Sequence, residues 1–381
     1  MRVVLFANTD WYLYNFRLSL ATALRDAGHD LYLLSPYGRY GERLRELGFN
    51  WHPVPMSRAS LNPLREALLL IWLFRWMRQV RPDVVHSFTI KCAVYGSLVA
   101  RAIGSKRINA VAGLGFVFTN NALKAKLLRV PVKLLLRLAL SGRSARLILQ
   151  NRDDVRLFTE SGIVSPALIR LIPGSGVDCS KFCPAPHRAS SSGSIRVLLA
   201  SRLLWDKGVA EYVGAARLLG GRTDGVEFLL AGMPDEGNPA SIPKEDVTHW
   251  HSAGLVQWLG HADDMASLLK TVDIVVLPSY REGLPKSLIE AAACARALVT
   301  TDVPGCREVV THGKDGLLVN VRSVEDLVGA IETLANNASL RLRLGESARR
   351  KAISTFSEDI VISDTLKTYD ELFAASAKHQ F

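Results

Sequence analysis

Val272-Asp273-Ile274-Val275-Val276-Leu277-Pro278-Ser279-Tyr280-Arg281-Glu282-Gly283-Leu284-Pro285-Lys286-Ser287-Leu288-Ile289-Glu290 is the stretch that decides the fold class. Its first part, a short apolar run closed by proline, reads as a buried parallel strand. Pro285 suits the first turn of a helix, and Ala291-Ala292-Ala293 carry that helix on. Strand, short loop and helix form the repeating unit of an α/β sheet, whose ligands gather at the carboxyl ends of the strands. Glu282 falls in the loop and Glu290 lies inside the helix. Between them, the backbone N–H groups of Gly283 to Ser287 point out of the helix start. That makes an anion site flanked by two carboxylates able to accept from hydroxyls. A diphosphate joining two polyhydroxylated rings, as in a sugar nucleotide, has this layout. Two glutamates also meet this spacing by chance, as a solvated loop residue and a helix-face residue. The position at a strand's carboxyl end favours the site.

The same alternation runs outward in both directions. In the second half, 195–200, 227–231, 256–259, 274–277, 298–301 and 316–319 read as strands with helices between, and 324–377 as helical throughout. In the first half, 3–8, 30–35, 84–87, 108–112, 147–150 and 168–172 read as strands. Helices are expected at 15–27, 63–80, 92–103, 123–141 and 153–161. Cys183-Pro184-Ala185-Pro186-His187-Arg188-Ala189-Ser190-Ser191-Ser192-Gly193-Ser194 has no apolar period and reads as a linker. The expected organisation is an α/β domain over 1–182, a linker over 183–194 and a second α/β domain over 195–355. A helix over 356–381 is expected to pack back on the first domain. Two doubly wound sheets of this kind bind ligands in the cleft that they face.

Composition narrows the class. A chain of 381 residues exceeds one ordinary core, and a 48% hydrophobic, 22% charged composition is that of a globular protein. Five cysteines, odd in number and without metal-ligand spacing, read as reduced thiols. Met1-Arg2 runs straight into an apolar strand, so no signal peptide is expected. The longest apolar run near a helix, 67–74, is bracketed by Arg65, Arg75 and Arg78 and is too short to cross a bilayer. The charge is lopsided: residues 1–190 hold 27 Lys and Arg against 11 Asp and Glu, and the remainder 20 against 25. A basic first half suits an anionic partner.

Further motifs sit at strand ends. They are Ser201-Arg202-Leu203-Leu204-Trp205-Asp206-Lys207-Gly208, Ala231-Gly232, Gly260-His261, Glu282 through Glu290, Thr301-Asp302-Val303-Pro304-Gly305-Cys306-Arg307-Glu308 and Gly313-Lys314-Asp315-Gly316. In this order the series resembles the retaining glycosyltransferases of family four, which have the GT-B fold: two Rossmann-like, doubly wound domains facing a cleft, with a helical C-terminal tail. The resemblance covers nearly the whole chain. It implies that Arg202 and Lys207 hold the leaving diphosphate, with Gly283, Leu284, Pro285 and Ser287 supplying the helix tip. Glu290 would accept from the ribose hydroxyls, Glu282 would lie against the donor sugar, and Gly260 and His261 would border the base. No D-x-D triplet occurs, which agrees with a metal-free mechanism and no cofactor.

The first loop, Asn8-Thr9-Asp10-Trp11-Tyr12-Leu13-Tyr14-Asn15-Phe16-Arg17, lacks the Gly-Gly pair frequent in the family. It is similar to the subgroup acting on polyprenyl-diphosphate-linked sugars. That likeness implies an acceptor side with Asn8, Asn15, Lys91, Gly113 and Gly115, and His86 near the donor sugar. From the residues alone, His86 is equally a capping or core histidine, Gly113 and Gly115 equally a plain turn, and His261 equally an incidental loop residue.

Leu123 to Leu140 carries five cations and no acid, and 63–81 mixes arginines with Trp72 and Trp76. Such helices lie in a bilayer interface, or else pack on a core with a basic face outward. No nucleic-acid motif is present. The expected activity is transfer of a hexose or HexNAc from a UDP-sugar to a hydroxyl of an undecaprenyl-diphosphate-linked saccharide, in surface polysaccharide or glycan assembly. The expected place is the cytoplasmic membrane face, and the expected partners are the nucleotide sugar, the lipid-linked acceptor and an anionic membrane surface. A sugar-nucleotide 2-epimerase, a non-catalytic sugar-nucleotide-binding subunit and a transferase with a soluble acceptor are the alternatives.

Overall fold

The computed structural model describes residues 1–57, 60, 62–111, 123–185, 194–220, 225–235 and 237–377, with the side chains of 123–131 and 375–377 excepted. The chain divides into two units: Met1–Ser175 with Val361–Phe381, and Gly176–Ile360.

In the first unit, apolar runs become buried strands and amphipathic runs become helices. They follow as β1 (Arg2–Phe6), α1 (Asp10–Phe16), α2 (Leu18–Asp26), β2 (Asp30–Ser35), α3 (Arg39–Glu46), β3 (Asn50–Pro53) and α4 (Pro63–Val80). Then come β4 (Val84–Phe88), α5 (Ile90–Ala102), β5 (Lys106–Val111), α6 (Leu123–Leu140), β6 (Ala145–Leu149), α7 (Arg152–Glu160) and β7 (Ile169–Leu171). Among the described residues the strands form one sheet, in the order β3-β2-β1-β4-β5-β6-β7, every pair parallel. The strand β3 has no counterpart in the sequence reading. Its four residues, Asn-Trp-His-Pro, have too little apolar content to announce a strand, and proline is tolerated there because β3 is an edge. The helix expected over 15–27 is two helices broken at Arg17, with φ −131° and ψ 3°. The first of them starts at Asp10, where the Thr9 hydroxyl accepts from the Tyr12 N–H at 3.1 Å.

The second unit continues with β8 (Ile195–Ala200), α8 (Val209–Leu219), β9 (Val226–Ala231), α9 (Lys244–Ser252), β10 (Gln257–Gly260), α10 (Met265–Lys270) and β11 (Ile274–Leu277). It is completed by α11 (Lys286–Ala293), β12 (Ala297–Thr301), α12 (Cys306–Val309), β13 (Leu317–Val319), α13 (Val324–Asn336) and α14 (Ala338–Lys351). Its sheet is parallel, in the order β10-β9-β8-β11-β12-β13. Apolar clusters cover both faces: Leu198, Val275 and Leu288 belong to one, Val197, Val276 and Leu327 to the other.

The stretch expected to be helical over 324–377 is interrupted twice. Asn337 ends α13 and caps α14 through the Leu340 N–H. A π-helical turn at Ala352–Phe356 and an extended Ser357 then precede α15 (Glu358–Ala377). The boundary between the units falls at 175/176, before the linker expected at 183–194. The cause is packing: Val177 donates its N–H to the Phe356 carbonyl, and Val177 and Phe182 are buried in the second unit's core. Residues 186–193 of that linker lie outside the described residues. Residues 361–377 belong to the first unit, where Val361, Tyr369 and Leu372 are buried against β1, β4 and β5.

Candidate functional site

In a doubly wound sheet the order of strands reverses at one place, and the loops on either side of it diverge. In the second unit that place lies between β8 and β11. The loop after β8 turns through a short 3-10 segment, Trp205–Lys207, to Gly208, which has φ +73°. A Cβ on Gly208 would stand 2.1 Å from the Pro278 carbonyl oxygen, so glycine lets this turn close on the loop after β11. The two loops are also joined by the Tyr280 N–H, which donates to the Asp206 carbonyl at 2.9 Å.

These loops meet at Glu282. Its Oε1 accepts from Lys207 Nζ at 2.5 Å and from the Ser279 hydroxyl at 2.7 Å. Its backbone N–H donates to the Pro304 carbonyl at 3.2 Å. Gly305, with φ +82°, packs so closely that a Cβ would lie 2.7 Å from the carbonyl oxygens of Glu282 and Gly283. The carboxylate is therefore fixed from three loops. Ser279 is a partner that the sequence reading did not single out, and Pro304 entered it only as part of the 301–308 run. Behind the loop, the Tyr280 hydroxyl donates to Glu211 on α8 at 2.8 Å, and the Arg322 guanidinium stands over the Tyr280 ring at 4.6 Å. No signal short of the fold could have joined residues 211, 280 and 322.

After Glu282 the chain passes Gly283 and Leu284 to Pro285, which is the N-cap of α11 and not a residue of its first turn. Pro285 has no side-chain acceptor with which to cap this helix start. The first-turn N–H groups of a helix have no partner within it, so a helix start carries a partial positive charge that favours an anion. Ser287 lies in that first turn. Glu290 follows on α11 with its side chain 13% exposed, 3.9 Å from Lys286. Burial pushes its carboxyl up to about 7, against the pull of Lys286 and Lys181 and with help from Glu358.

The remaining residues expected at this edge are held separately. Arg202 donates to Asp235 Oδ2 at 2.6 Å, and about half of its side chain is exposed. Lys207 pairs with Glu282 instead, so each cation already has its own carboxylate. The Gly260 carbonyl ends β10 and accepts from the Gly232 N–H at 2.7 Å. His261 is exposed, 3.5 Å from Asp263.

In the first unit the order reverses between β1 and β4. The loop after β1 carries Asn8 and then Asp10. Asp10 is buried, and its Oδ2 accepts from the N–H groups of Tyr40 and Gly41 at 2.7 and 2.9 Å. It thus caps α3, whose own N-cap Gly38 has no side chain to do so. Asn15 lies exposed on α1, with its amide donating to the Trp11 carbonyl. Lys91 donates to Glu66 and to the carbonyls of Ser57 and Ser60, each at 2.9 Å, which straps that loop to α5. Gly113 and Gly115 lie outside the described residues.

His86, read either as a residue near the donor sugar or as a core histidine, lies buried in β4. It is 1% exposed, and its Nδ1 hydrogen-bonds the Tyr369 hydroxyl of α15 at 2.9 Å. The Phe88 ring lies 4.3 Å away between centroids. Burial, with Arg17 nearby, holds its pKa well below the ordinary imidazole range, which favours the neutral ring. Three residues on, Thr89 has φ +70° and ψ 156°, a backbone region almost confined to glycine.

Residues 187–351 match the family described as Glycosyl transferases group 1, and residues 2–151 match Glycosyl transferase 4-like. The chain is 30% identical over 383 residues to the N,N'-diacetylbacillosaminyl-diphospho-undecaprenol alpha-1,3-N-acetylgalactosaminyltransferase of Campylobacter jejuni, covering 98% of this chain and 99% of that one. The chain is a group 1 glycosyltransferase. It is 24% identical to the UDP-Gal:alpha-D-GlcNAc-diphosphoundecaprenol alpha-1,3-galactosyltransferase of Escherichia coli, over 80% of this chain and 79% of that one. Among solved structures, Anabaena HepE, crystallised in complex with UDP, matches with a TM-score of 0.79 at 17% identity over 97% and 100% of the two chains. Sucrose-phosphate synthase from Thermosynechococcus elongatus matches at 0.80 and 16%, over 98% and 100%. These neighbours give the fold, which is GT-B: two Rossmann-like units and a helical tail. This glycosyltransferase is thus an enzyme of group transfer. Among its described residues no helix is long and apolar enough to cross a membrane.

Proposed function

We propose that this glycosyltransferase moves a sugar from a UDP-sugar to a hydroxyl of an undecaprenyl-diphosphate-linked saccharide, with retention at the anomeric carbon and without a metal ion. One observation carries the donor side: Lys207 and Glu282 meet at the sheet's switch point, three residues before the N-cap of α11. A departing nucleoside diphosphate gains charge as the glycosidic bond breaks. Lys207, Arg202 and the α11 N–H groups would meet that charge, the task a divalent ion performs in other architectures. Glu282 would then face the sugar hydroxyls and Glu290 the ribose. Catalysis rests on positioning and on stabilising the leaving group, with sugar transfer on the same face. The acceptor class is supported by the printed names of the Campylobacter and Escherichia relatives, both of which act on undecaprenol-linked diphosphate sugars. Such an acceptor lies in a membrane, so the enzyme would work at its cytoplasmic face.

The test is a panel of nucleotide sugars with a polyprenyl-diphosphate-linked GlcNAc or bacillosamine acceptor, scored by UDP or GDP release. UDP release that depends on acceptor and survives EDTA is expected. Lys207→Ala and Arg202→Ala should each lower kcat by roughly 10²-fold or more with an unchanged circular dichroism spectrum. Full activity in both variants would remove this phosphate site. Isomerised sugar nucleotide formed with no acceptor present would replace the transferase reading.

A further inference from the structure

On the first unit, α4 presents a mixed ridge to the outside. Leu64, Leu68 and Ile71 are 71%, 58% and 49% exposed, and at spacings of four and three they stand in one line. Arg75 and Arg78 continue that line and are also exposed. The ridge is therefore apolar at its amino end and basic at its carboxyl end, along a helix about 27 Å long. The acid of α4, Glu66, does not oppose this charge. It lines the larger of the two grooves that flank the ridge, but it is only 14% exposed and its charge is paired with Lys91.

A groove opens on each side of the ridge. One, of about 670 Å³, has an almost wholly apolar floor that includes Phe74 of α4 and Leu98 and Val99 of α5. The other, of about 980 Å³, is lined by Trp72 and Trp76, stacked 6.2 Å apart, and by Val54 and Met56. Arg75 and Ile71 line both. On the other flank of α5, α6 exposes Leu134, Leu135 and Leu138 (68%, 41% and 47%) beside Lys133 and Arg137. Lone exposed leucines are ordinary, but aligned ones beside apolar grooves and arginines mark a docking face.

We infer that the α4 ridge is the surface by which the enzyme seats on an anionic bilayer. Leu64, Leu68 and Ile71 enter the acyl boundary, the grooves beside them take lipid chains, and Arg75 and Arg78 hold headgroup phosphates. Charge complementarity selects this occupant: the outward face of α4 carries arginines and no acid, in a half of the chain with a large cationic excess. Tryptophan at the groove wall suits the headgroup level. The inference deepens the proposed function and rests on its lipid-linked acceptor, because an enzyme that sits on the bilayer meets that acceptor in two dimensions.

The test floats the full chain with vesicles of phosphatidylcholine, or of phosphatidylcholine with about 30% phosphatidylglycerol, at about 0.1 M salt. The protein should float with the anionic vesicles and far less with the neutral ones. Leu68→Glu with Ile71→Glu should lower partitioning by about tenfold or more, and Arg75→Glu with Arg78→Glu should erase the preference for phosphatidylglycerol. UDP affinity, read by calorimetry in the second unit, should be the same in both variants as in the native chain. Native-like flotation of both variants, or no flotation of the native chain, overturns the docking surface. Failure of the native chain to bind UDP overturns the donor reading instead.

Discussion

Glu290 sits where two demands conflict. In the role proposed for it, accepting from ribose hydroxyls, the ionised form is the better acceptor, yet burial pushes this carboxyl up to about 7. Between its ordinary 4.5 and about 7 the folded chain binds more protons than the unfolded one, so stability falls as pH rises through that window. Glu290→Gln removes the effect: the variant should be more stable above pH 7, by at most roughly 3 kcal/mol, and equal to the native protein near pH 4. Denaturant melts at the two pH values check this. Hydroxyl donors would favour the charged form, so native UDP affinity should rise through pH 7 more steeply than that of the variant, in which only the terminal phosphate of UDP still ionises over this range. At this scale the sequence exposed Glu282 and Glu290 through their strand-loop-helix context. It could not show that Lys207 reaches Glu282 while Arg202 reaches Asp235, because those pairings depend on how loops from different strands close. Nor did Val84-Val85-His86 reveal that the histidine points into the core; one apolar strand is buried on both faces, and its ends look alike in sequence.

At the scale of elements, the loops after β8, β9, β11 and β12 are held together by glycines at close backbone approaches. Gly208 lies against Pro278, Gly232 against Ser201, and Gly305 against Glu282 and Gly283. A side chain at Gly305 would meet two carbonyl oxygens that cannot yield independently of the loop, and its φ of +82° adds to the penalty. Gly305→Ala should cost about 2–4 kcal/mol of second-unit stability and, by displacing Glu282, lower turnover further than the stability loss explains. Thermal melts alongside kcat separate the two, and an unchanged kcat in the folded variant would deny the 303–305 loop any part in placing Glu282. These elements were largely legible, since buried parallel strands and amphipathic helices differ in period. The exceptions have local causes. The helix break at Arg17 comes from a polar side chain drawn inward to stack on Phe88 at 4.5 Å and to donate to the Tyr12 hydroxyl. The strand β3 is too short and polar to register.

For the whole molecule, the chain passes between its two units twice, at 175/176 and again at 360/361. The second passage gives the first unit a helix that the order of the sequence assigns to the other end of the protein. Val361, Tyr369 and Leu372 are 3%, 1% and 1% exposed in the first unit's core. Lys106 donates to the Leu372 carbonyl at 3.0 Å, Arg170 pairs with Glu371 at 2.6 Å, and Tyr369 holds His86. A chain stopped after Ile360 loses three large buried side chains at about 2–5 kcal/mol each, which rivals the whole stability of an ordinary domain. It also leaves the His86 ring without its partner. The second unit keeps both faces of its sheet covered, because α13, α14 and the π turn all precede the cut. Limited proteolysis of the truncated chain should therefore degrade 1–175 quickly while a resistant fragment within 176–360 persists. Calorimetry should show a second-unit transition near its place in the full chain. If 1–175 proved as resistant without the helix as with it, the core formed by Val361, Tyr369 and Leu372 would be dispensable, and His86 would need another reason to be neutral and buried.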